Sequence, residues 1–313
     1  MTSSARPKAV RTDGGDGSRV LVYNPVSGNG SHTDEVYDLA DEYDVTVRET
    51  KKGGDAIAFA RETDADLVAA GGGDGTLHEV VRGLYEAEKL DSTTVAVVPT
   101  GTGNNFAGNV GIESIADGFE VLDGGERRAI DLGVANGQPF VNSAIAGLTA
   151  DASSETDADQ KDSLGVLAYV VNTVRTAADF EGLDLSIETP DDEAAWTGKA
   201  AFVLVGNGRR FPVEGRTQAN MEDGQFEVTV IEDRPTGKLV GEATLRRLLG
   251  SDTGNITRLE APELAVSVNG GEPGTFSLDG EMLSARELDL ETRPNAVTLC
   301  VGEAYDPTPP AVE

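Results

Sequence analysis

A glycine cluster that contains one acidic side chain, GGGDGT at residues 71–76, follows the apolar run ADLVAA and opens a pattern with helical spacing. Glycines let backbone amides approach an anion closely, and the N-terminus of a helix adds partial positive charge. The cluster therefore predicts a phosphate cradle. Asp74 would repel a phosphate unless a cation lay between them, and Mg²⁺ commonly binds to one or two carboxylates together with nucleotide phosphates. Taken alone, the hexapeptide predicts either a metal–nucleotide site or a tight turn with Asp74 exposed.

The cluster differs from two common nucleotide-binding motifs. It lacks the Gly-Lys-Ser/Thr of a Walker loop and the third glycine of the dinucleotide fingerprint G-x-G-x-x-G. Two further polar glycine loops, NPVSGNG (24–30) and PTGTGNNFA (99–107), also follow apolar runs. Ligands of open α/β sheets bind at the carboxyl ends of the strands. Three such loops in succession favour a nucleotide site over an isolated turn.

The elements that must position these loops alternate between strand and helix patterns through residues 19–131. Alternation of this kind predicts a three-layer α/β domain, in which helices cover a parallel sheet. Thr76 is the predicted N-cap of the third helix. The predicted strands cover residues 19–25, 45–50, 65–70 and 93–100, and the predicted helices cover residues 31–44, 53–63 and 76–90.

Beyond residue 131 the strand pattern dominates, and we expect a second, mainly antiparallel domain at 132–290. A turn at Asn136-Gly137 would join the first two of its strands. Tails are expected at both ends, a disordered one at 1–18 and a loose one at 304–313. The other predicted strands are LDLSIET, AAFVLVGN, QFEVTVIE, ELAVSV, ELDLET and AVTLCV, and the predicted helices cover residues 163–180 and 236–249.

The charge of the chain is strongly acidic. The formal net charge is −30 over 313 residues, spread along the whole sequence, and seven lysines are present. A dispersed acidic surface with few lysines resembles proteins of salt-accumulating halophiles, because molar salt shortens the screening length to about 3 Å. We expect a halophilic protein, and an ordinary acidic cytosolic protein is the alternative. The lack of a basic stripe argues against a nucleic-acid partner.

Other features bear on the cellular setting. Cys300 is the single cysteine, which excludes an intrachain disulfide and a Cys-rich zinc site. No run approaches the roughly 18 apolar residues of a membrane span, and no secretory signal is visible. We expect a cytoplasmic protein with at most peripheral contact at the inner membrane face, and a homodimer stays open.

Three motifs together carry a specific resemblance. In this order and spacing, NPVSG, GGGDGTLHEVVRGL and PTGTGNNFA resemble the diacylglycerol kinase catalytic family, which includes bacterial soluble lipid kinases and sphingosine kinases and is related in fold to NAD kinases. The resemblance covers residues 20–302. It implies an α/β nucleotide domain and a β-rich sandwich domain with the active site between them, and residues 291–303 returning to the first domain. The implied activity is an ATP- and Mg²⁺-dependent kinase acting on a hydroxyl of a diacylglycerol-like or other lipid.

The resemblance also implies roles for residues at matching positions. In SLDGE (277–281), Glu281 would be the general base on the substrate hydroxyl, Asp279 its neighbour, and Asp74 would join them from the glycine loop. The alternative for this Asp-Gly pair is a plain hairpin turn. The implied ATP contacts are Asn24, Pro25, Ser27, Gly28, Thr50, Gly72, Gly73, Asp74, Gly75, Thr76, Glu79, Thr102 and Asn104.

A second acidic segment, NMEDGQFEV at 220–228, resembles the part of the family that holds a structural Mg²⁺. The resemblance implies that Asn220, Asp223 and Gln225 would bind the ion. An Asp-Gly hairpin turn is again the alternative.

This chain departs from the family pattern at several positions. His78 and Asn105 replace a usual asparagine and a usual aspartate, and Asn29 stands where a basic residue is common. His78 would either touch the ligand or be an exposed histidine. Arg209 and Arg210 would either face the phosphates or pair on the acidic surface. Two other functions therefore stay open, an NAD kinase-like enzyme and a non-catalytic nucleotide- or lipid-binding module.

Overall fold

A computed structural model describes residues 18–147, 182–190, 195–213, 216–233, 256–270 and 272–310. Its first part alternates strands and helices as the sequence predicts. These elements are β1 (Arg19–Tyr23), α1 (Thr33–Glu42), β2 (Thr46–Glu49), α2 (Asp55–Glu62), β3 (Leu67–Gly72), α3 (Asp74–Glu86), β4 (Thr94–Pro99), α4 (Asn105–Asn109) and α5 (Ile115–Gly124).

The four strands of this part run parallel in the order β2-β1-β3-β4. Successive strand residues point to opposite faces of a sheet, and β1 follows this rule. Val20 and Val22 join the core under α2 and α3, whereas Leu21 and Tyr23 join the core under α1 and α5. The predicted three-layer α/β domain is therefore confirmed.

The N-cap of α3 and the presence of α5 differ from the sequence prediction. α3 begins at Asp74 with Gly73 as its N-cap residue, so Thr76 lies inside the first turn. The physical reason is that Gly73 keeps an extended backbone, which lets the helix begin directly after the strand. α5 was not predicted, although Ser114 and Asp117 form a capping box that satisfies the free amides at its start.

The second part consists of strands. These are β5 (Glu126–Ala135), β6 (Gln138–Phe140), β7 (Ser143–Gly147), β8 (Leu183–Glu188), β9 (Ala195–Gly206), β10 (Arg209–Val213), β11 (Arg216–Gln218), β12 (Phe226–Glu232), β13 (Ile256–Ala261), β14 (Glu263–Val268), β15 (Gly274–Leu278), β16 (Glu281–Ala285) and β17 (Glu287–Val301). The predicted turn at Asn136-Gly137 joins β5 and β6, and both residues have positive φ, as a two-residue hairpin turn requires.

One long strand joins the two parts. β17 pairs with β14 near its start, with β5 along much of its length, and in parallel with β4 through Thr298 and Leu299. The sequence predicts two strands here, ELDLET and AVTLCV, and this is wrong because the strand continues through an irregularity between Arg293 and Val297. Fifteen strands of the described residues thus form one hydrogen-bonded sheet, and β10 and β11 form a separate pair.

A separate apolar core fills the strand-rich part. It is built from alternate residues of β7, β8, β9, β12, β14 and β15. Phe140 and Phe226 stack within it, with ring centroids 5.7 Å apart. Burial of such aromatic and aliphatic side chains stabilises this part of the chain by roughly 1.5–3 kcal/mol per large residue.

Three sequence predictions fall wholly or mainly outside the described residues: the N-terminal tail at 1–18 and the helices at 163–180 and 236–249. The loose tail predicted from residue 304 is wrong as far as residue 310. Tyr305 is buried and donates to Glu222, and Arg210 donates to the carbonyl of Pro310 at 2.7 Å. These contacts hold the segment because it supplies partners to otherwise buried polar groups.

Within the described part of the chain, we find no helix that combines the length and the apolar character needed to cross a bilayer.

Candidate active site

A cavity of about 1000 Å³ lies where the three glycine loops meet the strand-rich part. One wall is formed by the loops that follow β1, β3 and β4. The opposite wall carries Asn142, Arg209, Ser277 and the turn between β15 and β16. The carboxyl ends of the parallel strands therefore face residues that the chain reaches much later.

The three loops pack directly on one another. A Cβ atom on Gly101 would lie 2.7 Å from Cα of Gly73, and one on Gly28 would lie 2.5 Å from the carbonyl oxygen of Thr100. Gly28 also has φ of +61°, which glycine adopts without strain. The hydroxyls of Ser27 and Thr100 are 2.5 Å apart. Larger residues at Gly28 or Gly101 would push the loops apart.

Most of the residues that the resemblance implies as nucleotide contacts line this cavity. Gly72 and Asn104 do not: Gly72 lies in β3 behind Thr76, and Asn104 braces the third loop by donating to the carbonyl of Gly101 at 2.8 Å. The residues that line the cavity are Asn24, Pro25, Ser27, Gly28, Thr50, Gly73, Asp74, Gly75, Thr76, Glu79 and Thr102.

Asp74, the acidic residue of the glycine loop at 71–76, is partly buried rather than exposed in a turn. It occupies the first turn of α3, and its carboxylate accepts a hydrogen bond from the amide of Phe106 at 3.1 Å. Burial raises the pKa of Asp74 to about 6, and the nearby charge of Asp279 adds to the rise, whereas Phe106, Arg209 and Asn105 oppose it. The negative charge of an ionised Asp74 is thus only partly stabilised by the surrounding protein. A cation in the cavity would stabilise this charge and lower the free-energy cost of burying it.

We therefore predict that Asp74 destabilises the nucleotide-free protein. Its native pKa of about 6 exceeds the ordinary value of 3.8 for an aspartate, so the native state binds more protons between these values and stability falls as the pH rises through this window. The effect is at most about 1.4 kcal/mol per pKa unit. Asp74→Asn should raise the melting temperature at pH 7–8 and flatten its pH dependence, measured by calorimetry at fixed salt. Parallel pH curves for the two proteins would contradict this.

Asp279 and Glu281 lie at the turn between β15 and β16. Asp279-Gly280 is a two-residue hairpin turn with positive φ at both residues, and Leu278 pairs with Glu281 across it. The Asp279 side chain is 1% exposed, and its carboxylate accepts hydrogen bonds from the amides of three consecutive residues, 141–143. The turn expected of any Asp-Gly pair is present, but its acidic side chain is buried and also lines the cavity.

The two departures at Asn105 and His78 have different surroundings. Asn105 lines the cavity and its side chain hydrogen-bonds to Asp74. His78 is 4% exposed, so the interpretation as an exposed histidine is wrong, and it lies outside the cavity lining. It is buried because it follows Asp74 by one helical turn and faces the second wall, where Nδ1 lies 3.3 Å from Oδ2 of Asp279.

The side chains of the adjacent residues Arg209 and Arg210 point to different places. Arg209 is buried and lines the cavity, where burial lowers the pKa of its guanidinium and the charge of Asp74 opposes this shift. Arg210 points away, contacts Glu227 at 3.5 Å and donates to the carbonyl of Pro310. Strand alternation explains the difference, because consecutive residues of β10 face opposite sides. The alternative of two surface ion pairs is wrong for both residues.

The segment 220–225 does not approach the cavity. Asn220 and Asp223 accept hydrogen bonds from amides two residues ahead, and the amide of Gly224 donates to Asp131 at 2.7 Å. Burial raises the pKa of Asp223, and the charges of Asp131 and Glu260 raise it further. Oxygen ligands together with several neighbouring carboxylates suit a hard cation such as Mg²⁺. Within the described residues, no group of three His, Cys, Asp or Glu side chains is arranged to hold a metal, so amide and main-chain oxygens would have to contribute.

Sequence reasoning missed several cavity residues. Lys51 and Lys52 form an exposed pair at its edge, and the local signal was their adjacency in a chain with seven lysines. Asn142 is 5% exposed, and its side-chain oxygen has no hydrogen-bond partner among the described residues. Ser143, Ile145 and Ser277 join it on this wall, but tertiary pairing alone brings them to the site.

The α/β part, with its three glycine loops, and the strand-rich part meet at a shared cavity, which is an arrangement suited to a nucleotide-dependent enzyme. The diacylglycerol kinase catalytic domain model matches residues 18–135, and the model of the YegS C-terminal NAD kinase beta sandwich-like domain matches residues 142–301. The chain belongs to the diacylglycerol kinase catalytic family, in its YegS-like branch with this C-terminal domain.

Relatives and solved structures agree with this assignment. A probable lipid kinase YegS-like of Stenotrophomonas maltophilia is 32% identical over 88% of this chain and 94% of its own length. A probable lipid kinase YegS of Escherichia coli is 31% identical over 89% and 94%. The crystal structure of a putative diacylglycerol kinase from Bacillus anthracis superposes with a TM-score of 0.76 at 25% identity, covering 94% of this chain and 100% of that one.

Proposed function

We propose that this protein is a lipid kinase that transfers a phosphoryl group from ATP, with Mg²⁺, to a free hydroxyl of a diacylglycerol-like or other lipid. The observation that carries the proposal is the single cavity in which the three glycine loops face Glu281, Asp279 and Arg209. Phosphoryl transfer needs positioning, charge neutralisation and a base near the attacking hydroxyl, and this cavity offers residues of each kind. The lipid acceptor is supported by the names of the YegS relatives.

The nucleotide side is supported by the packed loops. The first loop at residues 24–28, the second loop and the first turns of α3 at residues 73–79 would bind the phosphates. Mg²⁺ would neutralise the triphosphate, with Asp74 as its carboxylate partner. Thr50 and Thr102 line the same cavity and would add nucleotide contacts.

The acceptor side is supported by the β15–β16 turn. Glu281 is exposed, lines the cavity and would accept the proton from the attacking hydroxyl. The hydroxyl oxygen would bond to the γ-phosphorus as the bond from that phosphorus to the β,γ-bridging oxygen breaks, with ADP as the leaving group. Asp279 would hold the turn through its hydrogen bonds to residues 141–143. Arg209 would stabilise the charge of the transferring phosphoryl group from the same wall.

The proposal has four further parts. Asn220, Asp223 and Gln225 would hold a structural Mg²⁺ remote from the chemistry, with main-chain oxygens completing its donors. The protein would act in phospholipid metabolism from the cytoplasm, touching the inner membrane face peripherally. The net charge of −30 gives no support to a nucleic-acid partner. A homodimer stays open.

The test of the function is a comparison of acceptors at molar salt. The protein is incubated with γ-labelled ATP and Mg²⁺, once with a total lipid extract and once with NAD. We expect label in the organic phase, in a phospholipid identified by mass spectrometry. Label on NAD would instead establish the NAD kinase alternative, and calorimetric ATP binding with no product from either acceptor would establish the binding module.

We further propose that the protein is halophilic. At low salt, 55 acidic residues against 25 basic ones repel one another, and this repulsion opposes compaction. We predict that the fold is lost below roughly molar salt, where the screening length exceeds about 3 Å. Thermal melts followed by circular dichroism should show a melting temperature that falls as the salt concentration is lowered. A midpoint independent of salt would refute this proposal and leave the kinase proposal untouched.

A further inference from the structure

His78 and Asp279 form a buried contact between residues 201 positions apart. Nδ1 of His78 lies 3.3 Å from Oδ2 of Asp279, and the two side chains are 4% and 1% exposed. His78 belongs to α3 of the first domain, whereas Asp279 belongs to the β15–β16 turn of the second part. The contact therefore joins the helix that begins at the phosphate-type loop to the turn that carries Glu281.

The Asp279 carboxylate collects hydrogen bonds from both parts of the molecule. It accepts from the amides of Val141, Asn142 and Ser143 at 2.7, 2.9 and 2.9 Å. We assign the hydrogen of the fourth contact to Nδ1 of His78, because this tautomer donates to the carboxylate oxygen. His78 thus supplies the fourth donor to Asp279, and it is the one that comes from the first domain.

We propose that His78 is a positioning residue. It holds the β15–β16 turn, and with it Glu281, at a fixed position relative to the glycine loop at 71–76. Asp74 lies four residues before His78 on the same face of α3, so the helix positions both the loop carboxylate and the donor to Asp279. Glu281 follows Asp279 by two residues across a tight turn. A small displacement of a reacting group can cost about 10²-fold in rate. This inference rests on the proposed kinase function, whose site it describes.

Three substitutions of His78 separate the effect of the donor from the effects of bulk and polarity. In Asn, Nδ2 is bonded to Cγ as Nδ1 is in His, so His78→Asn keeps a donor at nearly the same place. In Leu, a methyl group occupies that place, so His78→Leu keeps the bulk and removes the donor. Gln carries its amide one bond further out, so His78→Gln retains polarity and misplaces the donor.

The experiment compares these variants in steady-state lipid phosphorylation at molar salt. We expect His78→Leu to lower kcat by about tenfold to hundredfold with KM for ATP within about twofold of wild type, and His78→Asn to stay within about threefold. Wild-type kcat in His78→Leu would overturn the proposal. Equal losses in the Leu and Asn variants would overturn it as well, because the donor would then be irrelevant.

A second measurement does not depend on activity. Hydrogen exchange of the amides at 141–143 and of the 279–281 turn should be faster in His78→Leu and His78→Gln than in wild type and His78→Asn, in the absence of any substrate. Unchanged exchange in a folded Leu or Gln variant would overturn the positioning role. If the wild-type protein phosphorylates no lipid, the proposed function fails, and the exchange result still decides whether His78 holds the turn.

Discussion

Replacement of Glu281 by Gln should lower kcat for lipid phosphorylation by about 10²–10⁴-fold, which is the usual contribution of a positioned base. The substitution keeps the shape of the side chain and removes its ability to take a proton. Glu281 is the exposed carboxylate next to the Asp279-Gly280 turn and lines the cavity opposite the glycine loops. Binding of Mg²⁺–ATP should persist, because the loops that would bind the phosphates are unchanged.

The matched control is Glu303→Gln, which removes an exposed carboxylate outside the cavity lining. It should turn over like the wild-type protein. ATP affinity is measured by calorimetry for both variants, and kcat by transfer of labelled phosphate to lipid. Normal turnover of Glu281→Gln would remove Glu281 from the mechanism, and lost ATP binding would show that it acts on the nucleotide instead.

The second large effect is expected at Arg209. Arg209→Gln should lower kcat by about 10³-fold, the lower end of what an arginine contributes by stabilising a transferring phosphoryl group. Its guanidinium is a buried cation that lines the cavity near Asp74, in a chain with a net charge of −30. Arg209→Lys keeps the charge but loses the planar fork of donors, so it should recover part of the rate.

Folding must be separated from catalysis in this experiment. The removal of Arg209 leaves Asp74 with less compensation, so the melting temperature of each variant is recorded at molar salt. Arg209→Lys supplies the comparison at constant charge. Wild-type kcat in a folded Arg209→Gln protein would contradict a role in phosphoryl transfer.

The nucleotide wall was predictable because its signals are local. Each glycine loop directly follows an apolar strand, and the carboxyl ends of parallel strands meet at one edge of the sheet. The start of α3 was predicted less accurately, because several short residues in this loop could serve as the N-cap. Gly73 rather than Thr76 precedes the helix. The capping box of α5 was a readable signal that was missed.

The opposite wall was predictable only in part. The roles of Asp279 and Glu281 came from the family resemblance, since an Asp-Gly pair by itself predicts a turn and nothing more. Asn142 and Arg209 reach the cavity through long-range pairing: the carbonyl of Asn142 accepts from the amides of residues 207–209. No local pattern encodes such a contact. The burial of His78 likewise depends on Asp279, which the chain supplies 201 residues later.

The most direct test is a crystal structure with Mg²⁺ and a non-hydrolysable ATP analogue, grown at molar salt. We predict that the triphosphate lies on the loops at residues 24–28 and 73–76, with Mg²⁺ beside Asp74 and the γ-phosphate directed at the wall that carries Arg209 and Glu281. A well-ordered nucleotide bound elsewhere, with these loops free of phosphate, would contradict the account.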